Sequence, residues 1–398
     1  MKVMVTGIGY HGALAPDVAG FEQALRTGRG AFSWTQLARS GRMLPASLYQ
    51  GGGEGASDSA RRALRGRPVA LQASCASAME ALRWARWTGR DCAIVVGGSN
   101  LHQAQFAAAY QRFLDQPDYV SPRHAASFLD TTVVSAVSEI AGLGGIGFTA
   151  GGGMASGNVA LFQGWTLIRA GAARACLCIG AMSDFSELEL VAFSNLGALA
   201  APAEGSDPAM AARPFDTASL GFVYGQAAAA VLLESAESAL ERGAAPLAEL
   251  AGAAIVVEGN ADTGASAEGE AAAMRAALDA AGMHPREIGY ISTHGTGTSD
   301  GDRAECAAIR LAVGDAAVLN ATKAITGHTI SAAGVVELVA TIVQMGGGFV
   351  HANPGLRTPI DAGLRFAGPA CAPLAIRVAL SNSFSFGGFN TCVALRAA

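Results

Sequence analysis

Charge is scarce in this sequence. Only 15% of its 398 residues are Asp, Glu, Lys or Arg, against 51% that are apolar. That balance excludes a solvated, extended chain and implies a compact body with much buried surface. The formal net charge is −5 at pH 7 and the basic residues are scattered, so no stripe is available to a nucleic-acid backbone. The seven cysteines (Cys75, Cys92, Cys176, Cys178, Cys306, Cys371, Cys392) are odd in number and show no CxxC spacing. This excludes a disulfide framework and a zinc site, leaves reduced core thiols, and suits a cytoplasmic protein. The opening MKVMVTGIGY has too short an apolar run for a signal peptide and reads as a first strand. The apolar segment from Ala332 to Val350 encloses Glu337 and Gln344, which would be costly in lipid, so no membrane span is expected.

What is present is alternation. Short β-branched runs at Val3 to Thr6, Ala93 to Val96, Cys176 to Ile179, Ala228 to Leu233, Ala253 to Val257, Tyr290 to Ser292 and Val378 to Ser381 are separated by Ala-rich stretches. This pattern predicts an α/β, mixed layered fold. Ala201 to Ala212 reads as a loop, and Glu234 to Ala248 as a helix and crossover between two halves, 1–235 and 236–398. Glycine is abundant, with 51 residues clustered at Gly51 to Gly53, Gly151 to Gly153, Gly346 to Gly348 and Gly387 to Gly388. Thr6-Gly7-Ile8-Gly9 invites a dinucleotide reading. Its GxGxxG is completed only by Gly12 and no ribose-binding acid follows, so no cofactor is expected.

Three segments of the second half mix glycines with polar groups: Ser292 to Asp300 around His294, Lys323 to Thr329 around His328, and Asn382 to Asn390. An isolated histidine is usually a hydrogen-bonded core residue, but two in similar glycine and threonine surroundings point to a site. These segments resemble the HTGT, KxxxGH and NSFxFGGxN blocks of the β-ketoacyl-acyl-carrier-protein synthases. VTGIG at Val5 to Gly9, RPFD at Arg213 to Asp216, GFVYGQ at Gly221 to Gln226 and the block from Gly144 to Leu190 extend the resemblance over nearly the whole chain. It implies a thiolase-like, duplicated αβαβα fold and a homodimer, or a heterodimer with an active synthase.

In that family the nucleophile is a cysteine in a turn at a helix N-terminus. The matching run here is Phe148 to Val159, and Met154 stands in the cysteine's place. A thioether has no proton to lose and cannot form an acyl thioester. Ser74-Cys75-Ala76-Ser77 imitates the motif, but Leu71, Cys75, Ala78, Met79 and Leu82 recur at helical spacing, which makes Cys75 a buried helical thiol. Ser156 matches the small residue after the cysteine and has no assigned base.

The resemblance further implies that His294 and His328 direct ring N–H groups at a thioester oxygen. It implies that Lys323 orders the polar network near His328 and that Glu337 helps to hold it. Thr296 and Thr298 would hydrogen-bond a phosphopantetheine arm, and Phe386 with Gly387 would form a gate and oxyanion loop. Ser219 and Leu220 replace the Arg and Asp of many synthases, and Gln226 replaces a Glu; these departures are expected to touch structure more than chemistry. More narrowly, Phe128 to Thr132, Ser138-Glu139 and Gly144 to Ala160 resemble stand-alone decarboxylases of polyketide β-branching cassettes. Those carry serine where Met154 stands. The implied activity is conversion of malonyl-acyl-carrier protein to acetyl-acyl-carrier protein. The alternative is a non-catalytic partner resembling a chain-length factor.

Overall fold

A computed structural model describes residues 1–51, 64–203 and 205–398. Gly52 and Gly53 of the first glycine cluster lie outside the described residues.

The duplication is written in the strand order. Strands Val3–Gly12, Ala93–Gly97, Gly147–Ala150, Ala175–Gly180 and Ala227–Ser235 lie side by side in the spatial order third, second, fourth, fifth, first. Strands Ala248–Val257, Tyr290–Ser292, Val318–Asn320, Val378–Ser385 and Phe389–Ala397 repeat that order, with the short strand Arg365–Phe366 added at the outer edge. The pairing repeats too. In each half the second strand is parallel to the third and fourth, and the fifth is antiparallel to the fourth and first. The halves join where Met4 and Val5 pair with Glu249 and Ala248, so the two sets form one continuous mixed sheet.

Each third strand feeds a central helix, Ser156–Arg169 in the first half and Ala333–Gly347 in the second. Both pack against strands of both halves. Ala333 to Gln344 are all buried, which explains why this segment is apolar all round. By length and composition the stretch Ile330–Gly347 could cross a membrane, but it is 83% buried inside the fold and is a core helix. The two central helices approach through glycine. A Cβ on Gly157 would lie 2.8 Å from Val335 N, and one on Gly334 would lie 2.7 Å from Asn158 N. Only residues without side chains allow this contact. On the outside, Val69–Trp84 covers the first half, and Ala267–Ala281 and Ser299–Ala312 cover the second.

Several sequence expectations need adjustment. The glycines of VTGIG lie inside a strand that runs to Gly12, not in a turn after Thr6. A Cβ on Gly7 or Gly9 would collide with Ala81 O or Ser77 O, so these glycines admit the helix Val69–Trp84. That helix carries Cys75, buried as expected. Of the anticipated helical crossover from Glu234 to Ala248, only Ala236–Glu241 is helical, because the preceding strand continues through Ser235. Strands Ala248–Val257 and Val378–Ser385 also run past their β-branched runs, into Ala- and Ser-containing residues held by pairing with strand Phe389–Ala397.

Candidate active site

The chemistry-bearing turns meet at the seam between the halves. Strand Gly147–Ala150 ends in glycines, then one turn of 3-10 helix, Gly153–Ala155, leads into the helix from Ser156. Met154 is buried in this turn among Leu190, Ala198, Leu199, Phe222 and Ile330. Its N–H donates to Ser385 Oγ at 3.0 Å. Ser156 Oγ donates to Gly153 O at 2.6 Å and accepts from Gly152 N at 3.0 Å. It is a buried turn-closing hydroxyl with no base beside it. Burial pushes the Cys75 thiol up to about 12, far from a usable thiolate.

On the other side of the seam stand the two histidines. His328 follows the short helix Lys323–Thr326, and its Nδ1 accepts the Ile330 N–H at 3.1 Å. That bond assigns the ring proton to Nε2, which is buried and has no partner among the described residues. His294 follows strand Tyr290–Ser292, its N–H held by Glu305 Oε1 at 2.8 Å. The Lys323 ammonium has three protons and three acceptors: Glu337 Oε1, His294 O at 2.5 Å and His294 Nδ1 at 3.3 Å. A proton accepted at Nδ1 leaves His294 with its own N–H at Nε2.

Both histidines are held well below the ordinary range, first by burial and then by the Lys323 charge, with His328 adding to the effect on His294. They are therefore neutral rings, each with Nδ1 as acceptor and Nε2–H as donor. Their centroids are 5.5 Å apart and their planes nearly perpendicular. Glu337 is pushed up to about 7 by burial, against the opposing pull of Lys323. The network expected around His328 is thus built on His294: Lys323 bonds His294, and His328 is fixed instead by the backbone of its own turn.

A cavity of about 500 Å³ opens beside these groups, and Met154, His294, Thr296, Thr298, Ser385 and Phe386 line it. Lys323 and Glu337 are not among its lining residues; Lys323 reaches the lining residue His294, and Glu337 reaches Lys323. His328 stands next to the wall, its ring 5.3 Å from that of the lining residue Phe222. Thr296 Oγ1 and Thr298 Oγ1 are 2.8 Å apart. Phe386 is partly exposed at the mouth, tilted against Phe193. Gly387 does not line the cavity; its N–H donates to Asp262 O at 2.9 Å, so it shapes the loop behind Phe386. Ser219 and Leu220 do line it, and Ser219 Oγ donates to Gly297 O at 2.5 Å. Their departure from the family pattern therefore alters the cavity wall itself.

Sequence reasoning missed the carboxylates that hold the His294 loop. Asp302 accepts from the amides of Phe215, Thr296 and Gly297, and Glu305 from those of His294 and Gly295 and from Asn382 Nδ2. The signal was there: both are acids on the buried face of helix Ser299–Ala312, beside Cys306 and Ile309. Glu270 was missed as well. It lines the cavity with Oε2 unpartnered, and burial, then Glu305, Glu258 and Asp302, push its carboxyl well above the ordinary range. Lys323 carried a second signal, being one of only two lysines in the chain.

Two half-sheets of one topology, with their chemistry-bearing turns facing each other across paired central helices, define the thiolase type of fold. Residues 106–239 match the N-terminal domain of the β-ketoacyl synthases and residues 247–357 match the C-terminal domain. The chain is 34% identical over 403 residues to the polyketide biosynthesis malonyl-ACP decarboxylase PksF of Bacillus subtilis (strain 168), covering 99% of this chain and 96% of that protein. It is 34% identical over 248 residues to 3-oxoacyl-[acyl-carrier-protein] synthase 2 of Synechocystis sp., covering 61% of this chain and 59% of that one. Among solved structures, a β-ketoacyl synthase from Burkholderia phymatum STM815 superimposes with a TM-score of 0.90 at 27% identity, over 100% of this chain and 99% of that one. The ishigamide ketosynthase/chain length factor gives 0.89 at 25%, with the same coverage. The chain belongs to the β-ketoacyl synthase family.

Proposed function

We propose that this protein decarboxylates a malonyl group carried on the phosphopantetheine arm of an acyl carrier protein, yielding the acetyl-carrier protein for polyketide assembly. One observation carries the proposal. The donor pair His294 and His328 is intact, neutral and oriented, while residue 154 has no thiol. In the reaction, the bond between the α-carbon and the carboxylate breaks and its electrons move onto the thioester oxygen. Carbon dioxide leaves, and the enolate carbon takes a proton from solvent to give acetyl. The two Nε2–H groups stabilise the charge growing on that oxygen, and Lys323 with Glu337 fixes the tautomer of His294. Thr296 and Thr298 hold the arm, Phe386 gates the mouth, and Met154 fills the acyl side with apolar bulk. The relative PksF of Bacillus subtilis, a malonyl-ACP decarboxylase, supports the same chemistry.

The test is mass spectrometry of malonyl-loaded carrier protein with and without the enzyme. Acetyl-carrier protein should accumulate. His294→Ala or His328→Ala should each slow turnover by ~100-fold or more, the usual effect of losing one oxyanion donor, with little change in carrier binding. Equal product from wild type and the double histidine variant would remove the histidines from the chemistry. No product at all would favour a chain-length-factor-like partner.

The same proposal includes a dimer. Helix Gln103–Asp115 buries none of its residues and exposes Phe106, Tyr110, Phe113 and Leu114, while strand Gly147–Ala150 forms a sheet edge. Light scattering should give twice the chain mass at micromolar concentration; a monomer would contradict it. All seven cysteines are free, which supports a reducing, cytoplasmic setting.

A further inference from the structure

Acyl transfer at residue 154 would need more than a thiol. When a thiolate attacks a thioester, the carbonyl oxygen becomes an oxyanion, and the nucleophile's own backbone N–H is a common partner for it. In this protein that N–H is already engaged, donating to Ser385 Oγ at 3.0 Å. The carbonyl of Met154 is held from the same strand, by Ser383 Oγ at 3.4 Å. Ser385 ends strand Val378–Ser385, at the variable position of the NSFxFGGxN block, and it lines the cavity. The residue before Met154 makes room for it. Gly153 has φ +56°, and a Cβ there would collide with Ser385 Oγ. Among the described residues the hydroxyl proton of Ser385 has no acceptor.

We propose that Ser385 is a second lock against acyl transfer, independent of the missing thiol. It occupies the amide that an acylation site would aim at the thioester oxygen. The amide then serves as a support for the Ser385 hydroxyl on the cavity wall. The proposal rests on the placement of Met154 at the nucleophile position, but not on whether the wild type decarboxylates. Its consequence is that Met154→Cys alone restores a reactive thiol without restoring acyl transfer.

The experiment uses three purified full-length variants: Met154→Cys, Met154→Cys with Ser385→Gly, and Met154→Cys with Ser385→Ala. Each is treated separately with iodoacetamide, which reads the thiolate, and with acetyl-CoA, which reads oxyanion stabilisation. In the second reaction the introduced thiolate forms a bond to the acetyl carbonyl carbon, and the bond to the coenzyme A sulfur breaks. The departing thiolate takes up the proton that the introduced thiol released. All three variants should alkylate at similar rates at residue 154, as mapped by peptide mass. The two double variants should acetylate ~100-fold faster than the single variant, the effect of one recovered donor. Equal acetylation of the single and double variants would overturn the proposal, as would alkylation of all three with acetylation of none. A single variant inert to iodoacetamide would overturn the placement of residue 154 itself, an outcome separate from any result with malonyl-carrier protein.

Discussion

The two halves of the sheet share one topology and have kept different amounts of chemistry. In each, the third strand runs into a turn and then into a central helix: Gly147–Ala150 leads through Met154 to Ser156–Arg169, and Val318–Asn320 leads through Lys323 and His328 to Ala333–Gly347. The first turn has lost its reactive group and buries an apolar side chain. The second is dense with polar contacts, and its ammonium reaches back to the His294 loop. The comparison teaches that the fold positions its turns by strand order and helix packing, whatever side chain a turn carries. One half can therefore lose a nucleophile while the other still holds donors at a fixed geometry.

The largest expected effect comes from breaking the polar half at its ion pair. Lys323 and Glu337 are both almost fully buried. Lys323→Met leaves the Glu337 carboxyl without its partner and frees Nδ1 of His294, so denaturant unfolding should show a loss of about 3–5 kcal/mol. Adding Glu337→Gln should recover part of it. No loss in the single variant would mean that the pair contributes nothing to holding this half together.

The second effect tests the contact that brings the halves into register. Gly334→Ala places a Cβ against Asn158 N and should lower stability by about 1–3 kcal/mol in a thermal melt. Gly346→Ala, on the same helix with open space around it, should leave stability unchanged or slightly raised. Equal effects from the two substitutions would show that the helices can shift apart without cost.

The smallest effect is an absence. Because burial and Lys323 hold both histidines well below the ordinary value of ~6.5, they remain neutral as pH falls through that range. In an NMR titration the ring signals of both histidines should show no protonation shift there, whatever the Glu337 carboxyl, pushed up to about 7, does to kcat. A full protonation shift of either ring near ~6.5 would mean that this ring titrates normally and is more exposed to water than its burial implies.

The sequence by itself determined the family pattern, the α/β class and the loss of the condensing thiol, because these are carried by local features. Glycine-flanked histidines, β-branched runs and a methionine in a recognisable turn are all readable one residue at a time. It also separated Cys75 from a nucleophile, since helical spacing already implied a buried thiol. Only the tertiary structure decided which histidine Lys323 serves, since Lys323, His294 and Glu337 are distant in sequence and meet only when the turns of one half close on each other. The same holds for Gly7 and Gly9, whose missing side chains make room for a helix some seventy residues away in sequence rather than for a ligand. Ser385 and Met154 are 231 residues apart, and no pattern along the chain announces a hydrogen bond between them. Local periodicity reports which face a residue presents, whereas the partner of a buried polar atom depends on which segments the sheet order brings together.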